Sequence, residues 1–221
     1  MSNHAYDHLI ARHAENDACF LKRDDAPPVS YAAFVELVAQ IAHVLRDSGL
    51  KPGDRVVVQA PKCIEMVALY AATLQAGGVF LPLNTAYKRD EVAYFAEDAT
   101  PRIIICDPAS VAVLSGIAEQ VDATLLTLGA KGQGTLMDLV PVKRTTFETV
   151  SRGPDDLAAL LYTSGTTGRS KGAMLTHDNL LSNTKALTEL WQITDADTLI
   201  HALPIFHTHG LFVALNTSLY A

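Results

Sequence analysis

Ten consecutive residues, Thr163-Ser164-Gly165-Thr166-Thr167-Gly168-Arg169-Ser170-Lys171-Gly172, combine several hydroxyl side chains with three glycines and two cations. Glycines at 165, 168 and 172 let the backbone approach a ligand closely and adopt positive φ. Exposed N–H groups and Ser/Thr hydroxyls donate to anionic oxygens. Lys171 adds a mobile positive charge, and Arg169 a second one. Together these groups suit a loop that wraps a chain of phosphates. The plain alternative is a Gly/Ser/Thr-rich surface turn that binds nothing; the density of donors beside a lysine favours the phosphate reading.

The spacing differs from the ordinary P-loop, which needs G-x-x-x-x-G-K followed by Ser or Thr. Counting from Gly165, the second glycine position holds Ser170, and Gly172 follows Lys171. No hydroxyl after the lysine is placed to hold magnesium, which disfavours a Walker-type NTPase.

A second stretch concentrates histidines: His201-Ala202-Leu203-Pro204-Ile205-Phe206-His207-Thr208-His209-Gly210-Leu211. Zinc sites are closed by three or four ligands at recognisable spacing. Here H-x5-H-x-H has no partner cysteine and no carboxylate within it, so a metal is disfavoured and the metal assignment stays open. Histidines that merely end a strand are the bland reading. The functional reading places His207 and His209 at the carboxyl edge of a sheet, where open α/β sheets bind ligands. Donors there would suit a substrate with a second negative charge, which must be paired or hydrogen-bonded.

Thr163 to Gly172 resembles the signature phosphate loop of the acyl-adenylate-forming enzymes, the acyl-CoA ligases, luciferases and peptide-synthetase adenylation domains. The usual form has proline where this chain has Ser170. His201 to Leu211 resembles the next motif of that family, in a spelling similar to its malonyl-CoA synthetases. Asn84-Thr85-Ala86-Tyr87, after Gly77-Gly78-Val79-Phe80-Leu81-Pro82-Leu83, is similar to the same subgroup. The resemblance implies an acid–CoA ligase that uses ATP, Mg2+ and coenzyme A with a small carboxylic acid, malonate first. Thr163, Ser164, Gly165, Thr166, Thr167, Gly168 and Lys171 would bind the phosphates. His207 would lie near the reacting carboxylate and His209 would line the acyl pocket. Alternatives are a relative using methylmalonate, acetate or an aryl acid, and a non-catalytic phosphate-binding remnant.

The same resemblance implies absences. The family's adenine motif, ribose aspartate, hinge and mobile C-terminal domain with its catalytic lysine come later than Ala221. Residues 1–221 are therefore expected to be the N-terminal portion of the large adenylation domain, truncated, with no catalytic residue to nominate and with the missing part of the same enzyme as partner.

The elements that must position these loops follow from pattern. Leu157 to Tyr162 is a short apolar run and reads as a buried strand entering the phosphate loop. Val56-Val57-Val58, Val79 to Leu83, Ile103-Ile104-Ile105 and Thr124 to Leu128 read likewise, and so does Thr198 to Leu203. Ser30 caps a helix with Phe34, Leu37, Ile41, Val44 and Leu45 on one face and Gly49 at its end. Residues 4–15, 63–76, 90–99 (capped by Asp90) and 111–120 read as helices. Thr176 caps another carrying Leu180, Leu181, Leu187 and Leu190. Ala18 to Lys22 reads as a strand, Asp24 to Pro28 as a turn, and Val140 to Pro154 as a surface linker. Strands with continuous apolar runs alternate with helices. The predicted fold class is therefore α/β, with mostly parallel sheets flanked by helices.

Composition bounds the remaining classes. The chain has 221 residues, 49% of them hydrophobic, and a net charge of -7. That length can bury a sizeable core. The acidic balance argues against a nucleic-acid binder. Three widely spaced cysteines, Cys19, Cys63 and Cys106, read as buried free thiols in a reducing cytoplasm. Cys63, beside Lys62 at a helix start, is expected to be a buried small hydrophobe with no role. The apolar stretch from Met66 to Ala76 is too short to span a bilayer. The closing helix, from Leu211 to Tyr220, looks apolar on more than one side and is expected to leave an open apolar face.

Overall fold

The computed structural model describes residues 2–23, 26–163 and 170–221. Asn3 opens the first helix, its side chain accepting from the Tyr6 N–H; helix α1 (His4–Leu9) follows, with a separate 3-10 turn at Ala11–His13. The expected helix over 4–15 is thus broken at Ile10. Strands β1 (Cys19–Arg23) and β2 (Ala26–Ser30) form a small antiparallel ribbon. Ala26-Pro27-Pro28, expected in a turn, belongs to β2. Proline is tolerated in such a ribbon because it lies outside a central ladder.

Helix α2 (Tyr31–Asp47) starts where the Ser30 hydroxyl accepts from the Ala33 N–H at 3.2 Å, and Gly49, in the left-handed region at φ 90°, ends it. Then come β3 (Arg55–Gln59), α3 (Ile64–Gln75), β4 (Val79–Pro82), α4 (Arg89–Ala99), β5 (Ile103–Cys106), α5 (Val111–Gln120), β6 (Thr124–Thr127) and α6 (Thr135–Asp138). Helix α4 begins one residue before its expected cap. Lys88 is its N-cap, and the Glu91 carboxylate reaches back to the Lys88 N–H at 2.9 Å, leaving Asp90 exposed. The chain continues with β7 (Leu157–Thr163), β8 (Lys171–Thr176), α7 (His177–Leu190), a π-helical stretch His209–Leu215 and α8 (Asn216–Tyr220).

Six strands make one sheet in the order β6-β5-β3-β4-β7-β8. All neighbours are parallel except β7 and β8, which pair antiparallel, Thr163 opposite Lys171. The sheet is buried on both faces, and side chains alternate between two cores. Val56, Val58, Ile103, Ile105 and Phe80 join α2, α3 and α7 on one face. Val57, Ile104 and Leu81 join α4 and α5 on the other. This period of two explains why the strands read as unbroken apolar runs.

Three further expectations change. The stretch from Val140 to Pro154 is no free surface linker. It contains a 3-10 turn at Val140–Val142, buries Val140, and is bonded to the body through Val150 N–H to the Gln75 carbonyl at 2.9 Å. Thr198 to Leu203 forms no strand. Among the described residues it finds no ladder partner, and Ile200 is 89% exposed. The closing segment is covered rather than open: Leu211, Phe212, Leu215 and Leu219 are buried, with Phe212 against Tyr70. Exposed apolar side chains among the described residues include Val142, Met174, Leu190, Trp191, Leu199, Ile200 and Leu203. Leu190, one of the apolar residues read along α7, is among them; His177, Leu180, Leu181 and Thr184 are the buried residues of this helix.

Candidate functional site

Parallel strands bring their following loops to one edge. The segments after β3 (Ala60 to Cys63), β4 (Leu83 to Lys88) and β5 (Asp107) therefore share the carboxyl edge of the sheet with Thr163, the last residue of β7. Between β4 and β7 the connections diverge. The chain leaving β4 returns through α4 to β5, whereas β7 turns outward into β8. Open α/β sheets bind ligands in the crevice that such a divergence creates.

Of the expected phosphate-loop residues, Ser164, Gly165, Thr166, Thr167, Gly168 and Arg169 lie outside the described residues. Its two feet are described. Thr163 ends β7 and Lys171 opens β8, facing each other in register with both side chains exposed. Gly172 does not need its glycine freedom: its φ is not positive, and a Cβ there would meet Tyr162 at an ordinary 3.4 Å. The expected role for Gly172 is therefore corrected to that of an ordinary strand residue opposite Tyr162.

Helix α4 holds these feet. The Tyr94 hydroxyl donates to the Ser170 carbonyl at 2.8 Å, and the Tyr162 hydroxyl donates to the Asp98 carboxylate. Phe95 packs on the Tyr162 ring, centroids 4.4 Å apart, and on Tyr87, 5.2 Å apart. Burial first, and then the Asp98 contact, push the Tyr162 phenol far above its usual value, so it stays a donor.

The turn at Asn84 to Tyr87 has a local cause. The Asn84 side chain accepts from the Ala86 N–H at 2.9 Å, an Asx turn. Gln59, at the end of β3, donates its Nε2 to the Asn84 and Tyr87 carbonyls at 3.0 and 2.9 Å. The turn is thus pinned across two adjacent strand ends.

The histidine stretch is divided by the structure. His201 is half-buried, and its Nε2 donates to the Gly210 carbonyl at 2.8 Å. Burial, and then the Lys62 charge, lower its pKa. His207 and His209 are exposed, with the Phe206 and His207 rings 4.6 Å apart. Lys62 donates from Nζ to the His201 carbonyl and to the Leu203 carbonyl, the latter at 2.8 Å. The stretch is thereby tied to the edge after β3. Among the described residues no group of three or more His, Cys, Asp or Glu side chains could hold a metal ion. Cys63, at the N-cap of α3, is buried and its thiol is pushed up to about 12, so it is the inert side chain expected.

Sequence reasoning missed Lys62, Tyr94, Asp98 and Tyr162. Lys62 could have been found from its place just past a predicted strand at the loop-bearing edge. The others sit on faces whose partners are far away in sequence.

A family model described as "AMP-binding enzyme" matches residues 7–221. The chain belongs to this family. Several of its relatives are named CoA ligases, and AMP-binding CoA ligases use ATP and CoA. An oxalate–CoA ligase of Arabidopsis thaliana is 34% identical over 199 residues, 87% of this chain and 38% of that protein. A malonate–CoA ligase of the same plant is 33% identical over 186 residues, 78% of this chain and 29% of its own length. The crystal structure of ATP-bound MatB from Rhodopseudomonas palustris superposes on all of this AMP-binding chain with TM-score 0.96 at 48% identity, over 44% of the MatB chain. The N-terminal domain of FACL13 from Mycobacterium tuberculosis, 24% identical with TM-score 0.84, has the same fold. The chain thus spans well under half of the length of these curated relatives.

Proposed function

We propose that these residues are the N-terminal portion of an ATP-dependent ligase that joins malonate to coenzyme A through malonyl-adenylate. The observation that carries this reading is the whole-chain match to MatB at 48% identity, in its ATP-bound structure. The malonate–CoA ligase among the relatives supports the acid. Oxalate is the second reading, favoured by the 34% identity to the oxalate–CoA ligase; methylmalonate differs from malonate by one methyl group.

In this reading the substrate carboxylate attacks the α-phosphorus of ATP and pyrophosphate leaves, giving the acyl-adenylate. The CoA thiol then displaces AMP, forms the thioester and gives up its proton. The first step must bring two anions together and neutralise charge growing on pyrophosphate. Lys171 is the cation for the β- and γ-phosphates, and Thr163, Ser164, Gly165, Thr166, Thr167 and Gly168 supply hydroxyl and backbone donors. His207 faces the reacting carboxylate and His209 lines the acyl pocket. The described residues build no all-protein magnesium cage. Mg2+ characteristically binds through substrate phosphates and retained waters, which is how it would enter here. Adenine, ribose and the catalytic lysine belong to the remainder of the polypeptide. A cytoplasmic setting goes with this reading, supported by three free cysteines; no helix among the described residues is long and apolar enough to cross a membrane.

The test is a fusion of these 221 residues to the remainder of Rhodopseudomonas palustris MatB, assayed for AMP release with malonate, oxalate, methylmalonate, acetate and octanoate. Malonate is expected to be turned over best. Equal or better turnover of octanoate would sink the dicarboxylate assignment. Failure to exchange pyrophosphate into ATP with every acid would favour a non-catalytic phosphate-binding module.

A further inference from the structure

We propose that Lys62 is a positioning residue for the acyl substrate: its ammonium fixes the base of the His201–Gly210 loop at the carboxyl edge of the sheet and so places His207 and His209. The proposal rests on the reading above that these two histidines face the acid.

Lys62 stands just past β3, whose last residue is Gln59. Its Nζ donates to two main-chain carbonyls of one segment, those of His201 and Leu203. The segment is irregular, with a bend at Leu203 and the Ala202 N–H bonded to the Ile200 carbonyl at 2.9 Å. That segment has no ladder partner among the described residues, and Ala202, Leu203 and Pro204 are exposed. The ammonium therefore satisfies two main-chain carbonyls that have no strand neighbour among the described residues. Lys62 forms no ion pair with a described carboxylate, and burial holds its ammonium below the usual lysine value. Lys62 is nonetheless an exposed residue, so the two carbonyl contacts, not desolvation, tie it to the loop.

The loop is closed by three further contacts. His201 Nε2 donates to the Gly210 carbonyl at 2.8 Å. Ile205 is buried, with 1% of its surface exposed. Gly210 lies so close to Pro204 that an added Cβ would come within 2.1 Å of the Pro204 oxygen. Everything between Ile205 and Gly210 is thus carried on a fixed base, and His207, Thr208 and His209 are its exposed crest. A shift of the base moves the crest with it, and misplacement by about 1 Å can cost about a hundredfold in a reaction that depends on orientation.

Lys62→Met keeps the stem and removes the donors, whereas Lys62→Arg keeps donors and charge. Two readouts separate positioning from general support: amide hydrogen exchange of residues 199–210 in the 221-residue chain, and KM for malonate and for ATP in the MatB fusion. Lys62→Met is expected to speed exchange in that stretch about tenfold and to raise KM for malonate about tenfold, with KM for ATP within about twofold. Lys62→Arg should restore most of both. Unchanged exchange in Lys62→Met overturns the proposal, and so does an equal rise of KM for malonate and ATP. If the unsubstituted fusion turns over no acid, the ligase reading fails and the proposal fails with it. If that fusion is active and the variants show no split, the proposal alone fails.

Discussion

The Tyr94 hydroxyl donates to the Ser170 carbonyl at 2.8 Å, so helix α4 grips the downstream foot of the proposed phosphate loop. Tyr162, on the upstream side, reaches the same helix through Asp98. The two phenols tie Ser170 and the end of β7 to one helix, while the Thr163–Lys171 pairing holds the strands together. Tyr94→Phe deletes one neutral hydrogen bond, about 0.5–1.5 kcal/mol. We expect ATP binding to weaken by about two- to tenfold with little change in thermal midpoint, measured by calorimetric titration and thermal unfolding. Unchanged ATP affinity would show that the phosphate loop does not depend on this foothold.

Lys171 is exposed at the first position of β8. Its replacement by alanine should leave folding stability nearly unchanged, because nothing is uncovered. In the MatB fusion the loss of a charge-assisted contact to phosphate should cost about 1.5–3 kcal/mol, about ten- to a hundredfold in kcat/KM for ATP. A kcat/KM equal to that of the parent would mean that Lys171 points away from the nucleotide.

His177 is fully buried at the start of α7; its Nδ1 accepts from the Ala5 N–H at 3.3 Å and its Nε2 has no partner. Burial first, and then the Arg152 charge, lower its pKa from 6.5 to about 4. The unfolded chain therefore binds the proton more readily between these values, so stability is full above about pH 6.5 and falls as pH drops toward about 4. The shift corresponds to a loss on the order of 3 kcal/mol. His13 and His201 are lowered too and add to the same slope. Denaturant titrations from pH 7 to pH 4 should show it, and His177→Gln should flatten most of it. An undiminished slope in that variant would remove His177 as its source.

Cys19, expected to be buried, is exposed on the edge of the β1–β2 ribbon, whereas the buried thiols of Cys63 and Cys106 are pushed up to about 12 and about 11. Thiolate is the reactive form. Brief treatment of the folded chain with N-ethylmaleimide at neutral pH should give a single adduct, at Cys19, by peptide mass spectrometry. Rapid labelling of Cys63 would contradict the burial of the α3 start.

Gly210→Ala would drive a methyl group into the Pro204 carbonyl, a backbone atom that cannot swing aside. We expect a loss of about 1–3 kcal/mol in a denaturant titration, typical of overpacking.

Much of this was legible because burial on both faces leaves a clear mark. Val56-Val57-Val58 and Ile103-Ile104-Ile105 alternate between two apolar cores, so every position must be hydrophobic. Ser30 and Thr176 could be read as caps from residue type alone, and both accept a backbone N–H. Strand β8 could not be read so. Lys171, Ala173 and Met174 are exposed at a sheet edge, and Lys-Gly-Ala-Met has no apolar period. Thr198 to Leu203 failed in the opposite direction: its composition suits a strand, but a strand needs a neighbour, and sequence pattern carries no information on whether one stands beside it. At the site, residue types singled out Thr163 to Gly172, of which only Thr163 and Ser170 to Gly172 are among the described residues. The Tyr94, Tyr162 and Lys62 contacts join elements remote in sequence, which local pattern does not reveal.

Strand order also governs the sequence of folding events. β3, β4, β5 and β6 pair among themselves through connections of one helix each. β7 must find β4, registering Phe80 with Ala159, only after the entire β5–α6 region has been traversed. Closing that long loop costs more entropy and slows the step. A platform of four parallel strands can therefore consolidate while the hairpin bearing Thr163 and Lys171 is still searching for its place. In that interval the flank of β4 is an open, apolar ladder, and a second nascent chain could occupy it before β7 does.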